Sequence, residues 1–118
     1  MSPSTGDISQ FGPNAPGYTW VSAQDIPARE PFPGIRVKLL WEGDDGAKAV
    51  VTEIAPGAVF GKEDHHSSGP EEVYVVCGVF NDGVRDYPAG TFLHAPEGSW
   101  HVPQSEQGCV LFLFYPHG

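Results

Sequence analysis

The sequence predicts an all-β domain, and three observations carry that prediction. The apolar runs are short, and none sustains a 3.6-residue period between helix caps. Fifteen glycines and twelve prolines fall between those runs instead of gathering in one tract, which marks frequent turns. A length of 118 residues suits one domain with a single core. Many short strands between Gly/Pro turns read as a sandwich or a barrel.

The elements follow in chain order. Residues 1–30 form an irregular N-terminal arm, polar and Gly/Pro-rich up to about Tyr18, and residues 31–118 form the barrel domain. The arm region holds Phe11, Tyr18, Trp20 and Phe32 among prolines. So many aromatics are unusual in a purely disordered linker, so part of the arm is expected to pack on the barrel or on a second subunit. A short turn is expected within 20–27. Alternation predicts a strand over 35–41, a hairpin loop at Gly43-Asp44-Asp45-Gly46 and a partner strand over 49–54. Further strands are expected at 73–77, 91–95 and 110–115.

Charge and cysteine content narrow the function classes. The net charge of −9 argues against nucleic-acid binding, which needs a basic face. It equally disfavours adhesion to anionic membranes. No basic start followed by an apolar run marks a signal peptide, and no apolar stretch approaches membrane-span length. Two cysteines, Cys77 and Cys109, make no disulfide framework. Each is expected to be a buried thiol in a strand, and a cytoplasmic location is expected.

Two spacings carry the chemistry. Downstream, Gly90-x5-Pro96-x-Gly98-x2-His101 sets a histidine where a strand resumes after a turn. Upstream, Glu71-x6-Gly78 opens the strand Val73-Tyr74-Val75-Val76-Cys77, preceded by Glu63-Asp64-His65-His66. These segments resemble the two motifs of the cupin superfamily. In its first motif a glycine is followed after five residues by His-x-His, then three or four residues, a glutamate, six residues and a glycine. Within the superfamily, Glu71 to Asp82, Asp86 to Gly90, Pro96 to His101 and Gly108 to Phe112 resemble the cupin domain of ChrR-type anti-sigma factors and stand-alone metal-dependent cupin enzymes. The resemblance implies a single antiparallel cupin β-barrel of jelly-roll type, with His101 and Glu71 as metal ligands.

One histidine of the usual pair is replaced by a carboxylate, in either of two registers. Counting five residues on from Gly57 gives Glu63-x-His65, with five residues before Glu71. The other register gives Asp64-x-His66, with an ordinary four-residue gap to Glu71. Adjacent strand residues face opposite sides. If the strand keeps its phase from Gly57, then Val59, Gly61, Glu63 and His65 face inward and Phe60, Asp64 and His66 outward. The expected metal set is therefore Glu63, His65, Glu71 and His101, with His66 as the alternative to His65 and Asp64 then replacing Glu63. His94 and His117 are expected outside the site. Leu93 and Ala95 on either side of His94 would face in.

A mixed N/O ligand set suits one divalent ion per chain, with Fe(II) preferred and Zn(II), Mn(II) or Ni(II) also compatible. Four protein ligands leave coordination positions open, as in catalytic sites. Val73, Val75, Phe92 or Leu93 and the 110–114 strand are expected to line an apolar pocket. The resemblance implies a dioxygenase acting on a small ketone, dicarbonyl or hydroxyaryl-ketone substrate, with Glu71 also able to take a substrate proton. Metal-dependent cyclases or isomerases of polyketide-like substrates are the nearest rivals. A small-ligand-binding or stress-sensing cupin without enzymatic activity is the other class. Against a ChrR-like regulator, the region before Ile35 holds no histidine or cysteine for the zinc-binding anti-sigma segment of such proteins. A homodimer is compatible with the outward apolar positions.

Overall fold

In a computed structural model, the structure describes residues 17–118. The earlier part of the arm, with Phe11, lies outside them. A 3-10 turn at Ala23–Asp25 precedes eleven strands among the described residues. They are β1 (Arg29–Phe32), β2 (Ile35–Glu42), β3 (Lys48–Ile54), β4 (Ala58–Val59), β5 (Asp64–His65) and β6 (Glu71–Asn81). Then follow β7 (Asp86–Pro88), β8 (Phe92–Ala95), β9 (Trp100–His101), β10 (Gln104–Ser105) and β11 (Cys109–Tyr115). The expected arm boundary at residue 31 falls inside β1. In the described part of the arm, Tyr18 and Trp20 are exposed.

Every strand pairing is antiparallel, in the order β1-β2-β3-β11-β6-β10-β4. Strands β7 and β8 also pair with β6, and β5 pairs with β9. The all-β antiparallel barrel expected from the sequence is the observed architecture. Strand β6 ties it together: its residues up to Gly78 pair with β8 and β11, and its last three pair with β7 and β10.

One irregularity in β6 sets which side chains reach the interior. Glu71, Val73 and Val75 are buried, which is ordinary alternation, but the next buried residue is Phe80. The phase changes because Val110 pairs with Cys77 while Leu111 pairs with Val75, so Val76 is the extra residue of a bulge. Gly78 follows in the left-handed region, at φ 76°. A side-chain carbon there would collide with the Gly108 carbonyl, so the position requires glycine. The bulge corrects the expectation for Cys77: it turns this thiol outward, and Cys77 is exposed. Cys109 is buried as expected, and burial pushes its thiol up to about 11.

The core gathers Ile35, Val50, Val75, Phe80, Leu111 and Leu113 with their neighbours. Phe80 is 1% exposed, and truncating such a residue to alanine typically costs about 3–5 kcal/mol. The cavity wall draws on Val73, Leu111 and Leu113 as expected. Phe92 faces outward instead and is exposed, because its cross-strand partner Tyr74 sits on the outer face of β6.

Candidate metal centre

Four side chains converge at one end of the barrel: Asp64, His66, Glu71 and His101, each with a ligand atom within 4.8 Å of the others. Strand pairing explains the convergence. Asp64 lies directly opposite His101 in the β5–β9 ladder, and His65 lies opposite Trp100. Cross-strand partners share a face, so Asp64 and His101 point in together. His66, two residues beyond Asp64, falls on the same face. Its backbone continues the ladder, donating from N–H to the Ser99 carbonyl and accepting at its own carbonyl from Gly98. Glu71 arrives from the first position of β6, pointing the same way as Val73 and Val75.

The phase expected from Gly57 does not hold. Gly57 is a turn residue at φ 83°, so it is no reference point for a strand. Val59 is exposed, while Phe60 packs edge-on against Phe32 at 4.4 Å and lines the cavity. Phe60, Asp64 and His66 therefore face in. Glu63 and His65 stand on the outer surface, where His65 Nε2 and Glu63 Oε1 are 2.9 Å apart and both side chains are half exposed. His65 also stacks on Trp100. The structure thus brings Glu71 and His101 together with Asp64 and His66, and does not bring Glu63 or His65 to them. The four-residue gap from His66 to Glu71 was the sequence signal for this grouping. The turn at Gly57 and the bend at Gly61-Lys62 absorb the extra residue upstream. His94 lies outside the site, bonded to Glu72 at 2.9 Å, and His117 is exposed.

The distances describe four groups aimed at one point. His66 Nε2 is 3.1 Å from Glu71 Oε1 and 3.7 Å from Asp64 Oδ2. His101 Nε2 is 3.2 Å from Asp64 Oδ2 and 3.4 Å from Glu71 Oε1. Glu71 is 1% exposed and His66 6%. Despite their proximity, His66 Nε2 and Glu71 Oε1 are buried without a well-aligned hydrogen bond. Buried polar atoms are ordinarily satisfied, so this pair is unsatisfied within the protein alone. A cation held between them would satisfy both, and two imidazoles with two carboxylates form a donor set for a borderline divalent ion.

A second layer orients the site. Ser99 Oγ donates to the Pro96 carbonyl at 2.6 Å, so its lone pair accepts from His66 Nδ1 at 3.0 Å. With the proton on Nδ1, a neutral His66 presents the Nε2 lone pair to the cluster. Without a cation, close contact with Glu71 raises the His66 pKa above its usual value, outweighing the opposing effect of burial. Tyr115 also faces the cluster. Burial, chiefly, and the Glu71 carboxylate hold its hydroxyl far above the ordinary tyrosine range, so it remains a hydrogen-bond donor. Asp64, Glu71, His101 and Tyr115 line one end of a cavity of about 260 Å³ whose walls include Ile35, Val37, Val73, Phe80 and Leu111.

The comparisons agree on the fold. The profile of a family described as the ChrR cupin-like domain matches residues 17–117. No curated protein matches the chain significantly. Among solved structures, it is similar to a chain of the Rhodobacter sphaeroides complex of SigE with the anti-sigma ChrR. The identity is 25% and the TM-score 0.68, over 80% of this chain and 50% of that one. The chain thus spans half the length of that relative. It is similar to the polyketide cyclase RemF of Streptomyces resistomycificus at 20% identity and TM-score 0.72, over 86% of this chain and 80% of that one. It is also similar to a Methylibium petroleiphilum protein described as a candidate acetylacetone dioxygenase. There the identity is 18% and the TM-score 0.70, over 84% and 76% of the two chains. Identities of 18% and 20% establish a shared fold alone.

Proposed function

The chain belongs to the ChrR cupin-like domain family, and on that premise we propose that it is a small metal-dependent cupin enzyme, a dioxygenase of small ketone or dicarbonyl substrates. The observation that carries this reading is the Asp64, His66, Glu71 and His101 cluster at the end of an apolar cavity. We assign these four residues as the ligands of one divalent ion, Fe(II) by preference. That assignment takes Asp64 and His66 in place of Glu63 and His65.

When bound, the ion supplies Lewis acidity to a ketone oxygen and open positions for oxygen chemistry. The rest belongs to the chain. Ser99 holds the His66 ring in the tautomer that directs Nε2 inward. The carboxylates of Asp64 and Glu71 are the bases within reach of an acidic C–H beside a carbonyl. Tyr115, kept protonated, offers its O–H to Glu71 or to a substrate oxygen. The apolar wall excludes water and strengthens these polar contacts. A cavity of about 260 Å³ lies just below the usual drug-sized range of about 300–1,000 Å³, so the substrate is small.

The test measures metal content first, then oxygen uptake by Fe(II)-loaded protein with β-dicarbonyl compounds. Oxygen consumption tied to substrate loss supports the dioxygenase. Substrate turnover without oxygen uptake would move the assignment to a cyclase or isomerase. Metal binding without turnover of any carbonyl would favour a stress-sensing role, the reading to which the family's ChrR relationship points. Absence of bound metal would overturn the proposal.

A further inference from the structure

Resting on the metal-site reading above, we propose that the substrate is a small keto carboxylate, its carboxylate held by Arg29 and its ketone oxygen directed to the metal cluster. Fifteen residues line the cavity, and Arg29 is the one cation among them. Its direction follows from register: Arg29 pairs with Val37 across the β1–β2 ladder, and Val37 lines the cavity. Partners directly across a ladder share a face, so the guanidinium stem leaves the strand on the concave side. Arg29 is also exposed and, among the described residues, makes no ion pair, although the chain carries fifteen carboxylates. Glu42 and Lys48 stand on the same rim, opposite each other in the β2–β3 ladder, and Arg29, Val37 and Tyr115 line both this opening and the cavity. The guanidinium is thus free to meet a ligand that enters.

A charge count favours the same ligand. A divalent ion neutralises the carboxylates of Asp64 and Glu71, and neutral histidines add nothing. The remaining charge facing the cavity is the single positive charge of Arg29, which a monoanion balances. A guanidinium recognises a planar carboxylate through paired N–H donors. The intervening wall of Ile35, Val37, Val73 and Leu111 suits a short carbon chain between the two polar ends.

The test uses Zn(II)-loaded full-length protein, in which no oxidation can proceed, and isothermal titration with acetoacetate and with its neutral methyl ester. Wild-type protein is expected to prefer the acid by about tenfold or more, the size of one charge-assisted contact. Arg29→Gln should abolish that preference while zinc content and ester binding stay unchanged, and Arg29→Lys should restore part of it. Zinc uptake with equal binding of acid and ester, or an undiminished preference in Arg29→Gln, would overturn this inference alone. A wild-type chain that takes up no zinc overturns the proposed function and this inference with it.

Discussion

Two carboxylate–imidazole pairs are interleaved in the tetrapeptide Glu63-Asp64-His65-His66, and the fold sends them to opposite faces. The outer pair, Glu63 and His65, has the better contact at 2.9 Å, half in solvent. The inner pair, Asp64 and His66, is 3.7 Å apart and shares its space with Glu71 and His101. By contact distance alone, the outer pair would look like the designed feature. An exposed ion pair, though, contributes only about 0–1 kcal/mol. What marks the inner group is incompleteness: polar atoms that are buried, converge and are not satisfied by one another.

The largest expected effect breaks the comparison outright. His66→Ala should lose metal by more than the roughly 10- to 100-fold that removal of an outer-shell partner costs, whereas His65→Ala should bind as the wild type does. Metal content by mass spectrometry and a competitive chelator titration read both. If His65→Ala lost the metal and His66→Ala kept it, the inner assignment would be wrong.

Next in size is the group behind the ring. Ser99→Ala should weaken metal binding by about 10- to 100-fold, since the hydroxyl fixes the His66 tautomer. The same titration checks it, and unchanged affinity would remove Ser99 from the site.

A pH series sharpens the comparison further. In the metal-free protein the Glu71 carboxylate holds the His66 pKa above the ordinary histidine value of 6.5. Protonated His66 therefore contributes stability that is complete below that unfolded value and is lost as pH rises through the raised folded pKa. Metal needs the deprotonated ring and competes with that proton. The increase in Tm on adding metal should thus grow as pH rises from about 6 to about 8. An increment that shrinks over this range contradicts the assignment of His66. The smallest effect belongs to the outer pair: Glu63→Gln should change folding stability by no more than about 1 kcal/mol in a urea titration.

Alternation in the long strands made the barrel legible in the sequence. The strands around Val73 and Leu111 read correctly because each buries alternate residues along one face, and β2 and β3 read correctly because they run several residues between clear turns. The two-residue strands carry no period: β10 leaves no sign in the sequence, β4 and β5 look like one strand running on from Gly57, and β9 shows only through His101. Glu71 and His101 stood out because each lies at a fixed distance from a glycine of positive φ, Gly78 in the strand and Gly98 in the turn, and the structure sets them side by side. Choosing between the two carboxylate–histidine registers required a phase reference, and Gly57, in a turn with φ 83°, could not provide one. His101 and its partner across the ladder provide it, through a pairing that joins residues 37 positions apart. Cys77 was misread for a related reason. A bulge needs no particular residue at its extra position, so Val76 gives no local sign of it, and only the obligatory Gly78 hints at a break.

That bulge divides β6 into two reading frames. Glu71, Val73 and Val75 are placed by the frame before it, and Phe80 by the frame after it. A length change of one residue at the bulge would thus be a shift confined to one side. Removing Val76 would join the two frames into one unbroken alternation, with Cys77 still outward and Phe80 still inward, while Glu71 kept its place at the mouth of the strand. The lower end of the barrel can therefore drift in sequence length while the cluster end holds its aim, as a hinge pin lets one leaf swing without moving the other.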